Sequence, residues 1–182
     1  MKFMSILYKK LIPMSKYISY LRKQGVKIGE NCEIYKSANF GSEPYLIEIG
    51  NNVRINSGVE FVTHDGGLWV LRNHELYKKD FADADKFGSI KIGNNVHIGT
   101  NSIIMPGVTI GDNCIVGCGA VVTHNIPSSD VWGGVPARHI ETLKEYAAKV
   151  SEKIVNTKHL PPQEKKEFLL KFINQEIQEL TE

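Results

Sequence analysis

The sequence predicts an all-β solenoid with helices at both ends, because residues 92–127 repeat with a period of six. Every sixth residue is aliphatic, at Ile92, Ile98, Ile104, Ile110, Val116 and Val122. The position four residues further on stays small or apolar, and glycine often follows the aliphatic residue. A helix repeats its apolar residues about every 3.6 residues and a strand about every two, so neither explains this period. Short fixed periods are typical of solenoids, whose units bury their faces against one another.

The composition is that of one soluble domain with appendages. The chain has 182 residues, a formal net charge of +2 and 42% hydrophobic residues, enough to bury a core without metal or disulfide staples. No apolar stretch approaches the roughly 20 residues that span a bilayer, and Lys9 and Lys10 interrupt what would be a signal peptide. The cysteines are odd in number, and we interpret Cys32 and Cys114 as core thiols of a cytoplasmic protein.

Residues 1–25 are predicted to form a helical cap of one or two short helices, with Pro13 as a break. Residues 1–27 contain seven Lys or Arg and no acid. A cap would pack its apolar face on the end of the solenoid and leave these charges in water. The alternative is peripheral contact with the anionic inner face of a membrane, or with a lipid-linked substrate.

The solenoid itself is predicted over residues 26–140, with two interruptions. Its period begins at Ile28 and pauses at the stretch GSEPYLIE, residues 41–48. The second interruption, residues 65–89, is rich in aromatic and charged residues. A loop of this length inside a repeat is usually functional or disordered. Residues 141–182 then show helical spacing and are predicted to form a C-terminal helical extension.

Three motifs carry a family resemblance: the Ile-Gly-x-x-x-x hexapeptides, FVTHDGG at residues 61–67 and VVTHNIPSSDVWGGVPAR at residues 121–138. Together they resemble the hexapeptide-repeat acyltransferase family, and FVTHDGG with the loop after it is similar to the sugar and polysaccharide O-acetyltransferase branch, akin to maltose and galactoside acetyltransferases. The likeness covers roughly residues 26–141. It implies a left-handed parallel β-helix of three flat sheets, assembled as a homotrimer. That handedness is an exception to the right-handed crossover rule, so it comes from the resemblance alone.

The expected chemistry is acyl transfer from a thioester, which needs a base to take the proton of the acceptor hydroxyl or amine. Histidine suits this role because its free pKa of about 6.5 lies near neutral pH. His64 ends a repeat at the root of the long loop, and by the resemblance it is the catalytic base. We assign Asp65, Trp69 and Asn56 to the acceptor, with Trp69 stacking on a sugar face and Asp65 hydrogen-bonding a hydroxyl.

The resemblance also implies acetyl-CoA as co-substrate and no metal. The residues assigned to coenzyme A are Thr100, Cys118, Thr123, His124, Gly133 and Arg138. Arg138 matches a basic position that the family uses for coenzyme A. Gly133 matches a close turn beside the pantetheine arm. His124 stands where the family often has lysine or arginine near the coenzyme A phosphates, and a neutral histidine would bind phosphate less well.

Two rival interpretations come from other classes. A zinc enzyme of the γ-carbonic anhydrase type needs two closely spaced histidines on one strand, whereas successive histidines here are 10, 23, 27, 15 and 20 residues apart. A non-catalytic trimeric scaffold would not need both FVTHDGG and VPAR.

Within the transferases, an antibiotic O-acetyltransferase stays open as the alternative to a sugar enzyme. The expected acceptor is a hydroxyl or amine of a saccharide, or of a lipid-linked saccharide used in polysaccharide biosynthesis. No nucleic-acid partner is expected.

Overall fold

The computed structural model describes residues 11–151 and 154–181, with side chains as far as residue 175. Residues 1–10, which make up much of the predicted N-terminal cap, lie outside the described residues. The chain divides after Tyr146 into two compact units. The first unit contains the repeats, and the second contains most of the C-terminal helical residues.

Thirteen strands form three sheets within the described residues. Sheet one contains β1 (Lys27–Ile28), β3 (Ile47–Ile49), β6 (Ile90–Ile92) and β9 (Thr109–Ile110). Sheet two contains β2 (Glu33–Ile34), β4 (Arg54–Ile55), β7 (His97–Ile98), β10 (Ile115–Val116), β12 (Asp130–Gly133) and β13 (Arg138–Thr142). Sheet three contains β5 (Glu60–Phe61), β8 (Ile103–Ile104) and β11 (Val121–Val122). All neighbouring strands are parallel except β12 and β13, which form an antiparallel hairpin.

The strand register confirms the period of six residues per side. His97 pairs with Ile115 and Ile103 pairs with Val121, in each case 18 residues further along the chain. The chain therefore crosses the three sheets in turn and returns to the first after one coil. Arg54 also pairs with His97, although 43 residues separate them, 25 more than one coil. That excess equals the length of the predicted loop 65–89, so the loop leaves the coil and returns without shifting the register.

The predicted aliphatic column points inward and forms the core of the first unit. Ile98 and Ile104 are fully buried, as are most of their equivalents in the other coils. The small column is buried too, and the hydroxyl of Ser102 lies 2.9 Å from the carbonyl oxygens of Gly99 and Gly117. These bonds satisfy the buried hydroxyl, whereas Val96 and Val108 at the equivalent positions are buried as apolar residues.

Asparagines turn the chain at the corner after sheet one. Asn95 and Asn113 have φ of 54° and 59°, a left-handed conformation that asparagine tolerates better than most residues. The residues before them form a ladder, in which Asn94 Oδ1 accepts a hydrogen bond of 2.9 Å from the Asn51 backbone N–H. The Asn94 backbone N–H in turn donates to Asp112 Oδ1 at 2.6 Å. These bonds satisfy backbone donors where sheet pairing is interrupted.

Helix α1 (Met14–Lys23) covers the N-terminal end of the coil. It begins after Pro13, whose fixed φ and missing N–H suit a helix start. Tyr17 and Leu21 are buried in the same cluster as Ile28, so the apolar face of the helix extends the core. Within the described part of the chain, no helix has the length and apolar character needed to cross a bilayer.

Four further helices lie in the described residues after the first coils. Loop 65–89 contains α2 (Leu68–Asn73) and α3 (Lys78–Phe81). Helix α4 (Leu143–Ser151) begins beside a cap in which Glu145 accepts hydrogen bonds from the backbone and hydroxyl of Thr142. In the second unit, α5 (Pro162–Thr181) starts directly after Pro161.

Candidate active site

His64 lies at the corner after β5, where loop 65–89 leaves the coil. Its backbone forms an antiparallel bridge with Phe87. On one side of this bridge the Asp65 N–H donates to the Lys86 carbonyl oxygen at 2.9 Å, and on the other the Gly88 N–H donates to the Thr63 carbonyl oxygen at 2.8 Å. The two ends of the loop therefore close into a neck that fixes the backbone of His64, while its side chain stays half exposed.

The imidazole of His64 is oriented by Glu43, from the stretch that interrupts the period before β3. His64 Nδ1 lies 3.0 Å from Glu43 Oε2. The hydroxyl of Thr63, which is fully buried, donates to the same oxygen at 2.7 Å. Glu43 is thus held from two sides, although its side chain is 15% exposed.

These donors keep Glu43 ionised. The Thr63 hydroxyl, followed by hydrogen bonding from the side chain of Ser42 and by His64, lowers the pKa of Glu43 from 4.5 to about 2. An ionised carboxylate only accepts hydrogen bonds, so the proton of neutral His64 resides on Nδ1. We assign this tautomer from the partner, and it leaves a lone pair on Nε2. Nε2, on the side of the ring away from Glu43, is therefore the nitrogen that can accept a proton.

His64 borders two cavities of different character. The apolar cavity, of about 540 Å³, has mostly apolar flanks. It is lined by Val62, His64, Asp65, Gly66, Lys86, Phe87, Gly88, Met105, Pro106, Gly107 and Thr123. The polar cavity, of about 360 Å³, has charged groups and an indole on its walls. It is lined by Ser42, Glu43, His64, Asp65, Gly66, Trp69, Arg72, Asp85, Lys86 and Phe87. An imidazole that borders two separate spaces suits a reaction between two substrates.

A third groove, of about 600 Å³, runs along α1 and has a different lining. It is lined by Leu11, Ile12, Pro13, Lys16, Ser19, Tyr20 and Lys23. None of these described residues is a carboxylate or an imidazole.

The apolar cavity fits the thin arm of a thioester carrier. Val62, Met105 and Phe87 supply apolar walls, and Thr123 contributes a hydroxyl. Gly107 has φ of +84°, and a Cβ built there would meet no atom within 4 Å. A larger residue at this point would therefore project into open space beside the cavity. Glycine at position 107 therefore leaves this side of the apolar cavity open.

The structure brings together some of the predicted site residues. Asp65 and Trp69 line the polar cavity with His64, and Thr123 lines the apolar cavity with His64. The Thr123 hydroxyl also lies 2.8 Å from His124 Nδ1. Three of the predicted residues therefore line a cavity with His64, and His124 adjoins one of them.

Other predicted residues lie elsewhere. Thr100 and Cys118 lie one coil apart at the corner after sheet two, and Asn56 lies at the same corner one coil earlier. The Gly119 N–H donates to the Thr100 carbonyl oxygen at 2.8 Å. Within the described residues, none of these three lines a cavity beside His64. Asn56 Oδ1 is buried and has no hydrogen-bond partner among the residues that the structure describes.

Gly133 and Arg138 face each other in the hairpin that ends the coil. They are paired partners of β12 and β13. The hairpin is tied to sheet three, because the Val121 N–H donates to the Gly134 carbonyl oxygen at 3.0 Å and the Ala137 N–H donates to the Val121 carbonyl oxygen at 2.8 Å. Arg138 is exposed there, so its guanidinium is open to solvent.

Glu43 is the site residue that sequence reasoning missed. It lies in GSEPYLIE, which breaks the period, so the column of Glu43 relative to His64 does not follow from the spacing. The one available signal was a carboxylate inside an interruption of a regular repeat, since interruptions often carry function. Thr63 is the neighbour of His64 in FVTHDGG, and the sequence alone does not predict its contact with Glu43.

Comparison with known proteins identifies relatives of this chain. The bacterial transferase hexapeptide (six repeats) family matches residues 89–124. The chain is 47% identical to protein CapG of Staphylococcus aureus over 169 residues, which cover 92% of this chain and 95% of that protein. It is 36% identical to galactoside O-acetyltransferase of Escherichia coli (strain K12) over 132 residues, 71% of this chain and 59% of the relative, so it spans less than two thirds of that enzyme. A solved galactoside acetyltransferase in complex with coenzyme A matches 76% of this chain and 75% of its own, with a TM-score of 0.58 and 29% identity.

Proposed function

The chain is an acyltransferase of the hexapeptide-repeat family, and we propose that it transfers an acetyl group from acetyl-CoA to a sugar hydroxyl with His64 as general base. The observation that carries this proposal is the position of His64 between the apolar and polar cavities, with Nδ1 held by Glu43. The similarity to a galactoside O-acetyltransferase and to an enzyme solved with coenzyme A supports both the chemistry and the sugar acceptor.

In the proposed mechanism His64 first accepts a proton from the acceptor and then donates it to the leaving group. Acetyl-CoA supplies the acetyl group and a thiol that leaves. His64 Nε2 takes the proton of the acceptor hydroxyl as the hydroxyl oxygen bonds to the carbonyl carbon and the C–S bond breaks. The ionised Glu43, 3.0 Å from Nδ1, stabilises the positive charge that develops on the imidazole. His64 then returns the proton to the departing sulfur and is neutral again, so no covalent intermediate on the protein is needed.

The two cavities divide the substrates between them. We place the thioester end of acetyl-CoA in the apolar cavity beside Met105 and Thr123, because its walls suit the pantetheine arm. Gly133 and Arg138, on the hairpin, would hold the distal part of the carrier, with Arg138 as the cation for phosphate. The sugar then enters the polar cavity, where Trp69 offers an indole face and Asp65 a hydrogen-bond acceptor.

We further propose a homotrimer, which accounts for the separation of the predicted residues. Thr123 lies beside His64, whereas Thr100 and Cys118 lie at the corner after sheet two. A groove between adjacent subunits brings the corner after sheet three of one copy, which holds His64, against the corner after sheet two of the next copy, which holds Thr100. Family membership supports a left-handed coil for each subunit.

For its location we propose the cytoplasm, with the basic N-terminal segment as a peripheral contact to the inner face of the membrane. Lys16 and Lys23 line the groove along α1 with exposed Leu11, a combination that suits an anionic surface. The three free cysteines agree with a reducing compartment.

The proposed function is tested by release of free thiol from acetyl-CoA in the presence of candidate acceptors. The panel contains neutral sugars and their glycosides, amino sugars, chloramphenicol and serine. We expect acetyl transfer to at least one saccharide, with mass spectrometry locating an ester on its ring. Transfer only to chloramphenicol or to serine, with every saccharide untouched, contradicts the sugar proposal.

A further inference from the structure

The polar cavity beside His64 contains an excess of negative charge. Three carboxylates line it, from Glu43, Asp65 and Asp85, against two cations, from Arg72 and Lys86. Glu43 is ionised, as described above, and the Gly67 N–H donating to Asp65 at 2.9 Å lowers the pKa of Asp65. The walls therefore carry one more negative than positive charge.

Both cations of this cavity are already paired. The Arg72 guanidinium bonds to the Asp85 carboxylate and to the Ala84 carbonyl oxygen, and its side chain is 30% exposed. Lys86 Nζ lies 3.5 Å from Asp65 Oδ2. Among the described residues that line the cavity, no cation is left without a carboxylate. An anion that enters this cavity would have to displace a carboxylate from its cation, or would bind against the excess negative charge of the walls.

Arg72 and Asp85 lie on different segments of loop 65–89. Arg72 belongs to α2, and Asp85 directly precedes Lys86 and Phe87, which form the neck with Asp65 and His64. Their ion pair therefore joins two segments of the loop, and both residues line the polar cavity. The same contact occupies the guanidinium that an anionic substrate would otherwise meet.

We propose that the polar cavity selects an uncharged glycosyl unit, and that Asp85 excludes acidic and phosphorylated sugars by occupying Arg72. This inference rests on the proposed function and deepens it by naming the acceptor class. A neutral ring stacks its apolar face on Trp69, which is 70% exposed, and offers hydroxyls to the carboxylates as hydrogen-bond donors. A carboxylate or phosphate on the ring offers no such donor and meets walls that carry one excess negative charge.

The test compares pairs of acceptors that both lack a free 6-hydroxyl and differ in the charge of the group at carbon 6. The probes are the neutral amide of methyl galacturonoside against methyl galacturonoside itself, and 6-O-methylglucose against glucose 6-phosphate, each with acetyl-CoA, and methyl galactoside and glucose report general sugar acetylation. For the wild-type protein we expect kcat/KM on the acidic member to be at most about one tenth of that on the neutral member. Equal activity on both members of each pair overturns the inference while leaving the proposed function intact. Failure to acetylate any saccharide overturns the proposed function instead.

The variant Asp85→Asn unmasks Arg72 and removes one negative charge. We expect it to raise the acidic-to-neutral ratio of kcat/KM by about fivefold, the order of a partly exposed charge pair. Asp83→Asn, on the same loop but outside both cavities, is the matched control and leaves the ratio at its wild-type value. Because the ratio is taken within one preparation, partial loss of folded protein does not change it. An unchanged ratio in Asp85→Asn overturns the role of Asp85.

Discussion

Glu43 Oε2 lies 3.0 Å from His64 Nδ1, although 21 residues separate the two along the chain. One turn of the coil brings them together, because Glu43 precedes sheet one and His64 follows sheet three. The same oxygen accepts the Thr63 hydroxyl, so the carboxylate cannot rotate away from the imidazole without losing a second hydrogen bond. The pair is therefore preorganised by buried structure, as a proton-transfer site requires.

Replacing Glu43 by glutamine keeps its shape and removes its charge. We expect Glu43→Gln to lower kcat at least about tenfold with little change in the KM for the sugar, because the neutral amide no longer fixes the tautomer or stabilises the imidazolium. Steady-state kinetics across a pH series measure both parameters. Glu48→Gln, at an exposed carboxylate of sheet one, is the matched control. A wild-type kcat in Glu43→Gln would show that Glu43 does not position His64.

The same carboxylate predicts a pH dependence of stability. The pKa of Glu43 is lowered to about 2 in the folded protein from its ordinary 4.5, so its contribution is present above pH 4.5 and is lost as pH falls toward 2. Glu43→Gln lacks this contribution. Urea unfolding at pH 6 and pH 3 should therefore show a smaller fall in the midpoint for the variant than for the wild type. Equal falls would mean that the pKa of Glu43 is not depressed by folding.

Blocking the apolar cavity should weaken coenzyme A binding without touching His64. Thr123→Trp places a bulky ring on its wall, and we expect the Kd for coenzyme A to rise at least about tenfold, or about 1.4 kcal/mol. Titration calorimetry measures the Kd directly. Thr109→Trp, on an exposed position of sheet one, is the control and keeps the wild-type Kd. Unaltered binding by Thr123→Trp would show that coenzyme A does not bind in this cavity.

A shared site in a trimer predicts complementation between two inactive variants. His64→Ala removes the base from the corner after sheet three, and Thr100→Trp obstructs the corner after sheet two. In a cyclic trimer that contains both variants, one of the three interfaces joins an intact His64 corner to an intact Thr100 corner, so purified mixed trimers should show about one third of the wild-type activity. Each variant alone, assembled as a homotrimer, serves as the control. Isolated mixed trimers without activity would place the whole site in one subunit.

Local spacing was sufficient to predict the coil from the sequence. The inward column at Ile98 and Ile104 follows from counting in sixes and is buried, and the register has an excess of 25 residues, the length of the predicted loop 65–89. Such features depend only on neighbours one coil apart. Handedness does not appear in a spacing, and it came from the family resemblance.

Contacts across irregular segments were not predictable. Glu43 lies in an interruption of the period, so its place beside His64 depends on how GSEPYLIE rejoins the coil. The pairing of Arg72 with Asp85 likewise depends on the internal fold of loop 65–89. By contrast, counting in sixes along the repeat already places Thr100 and Thr123 at different corners of the coil.

The central claim, that His64 is the general base, is tested most directly by the turnover of His64→Ala with acetyl-CoA and a saccharide acceptor. We predict a loss of at least about 10²-fold in kcat, the lower end of general-base contributions, with the Kd for coenzyme A changed by less than about twofold. His74→Ala, a loop histidine outside both cavities, should keep wild-type turnover. Undiminished acetyl transfer by His64→Ala would contradict the claim.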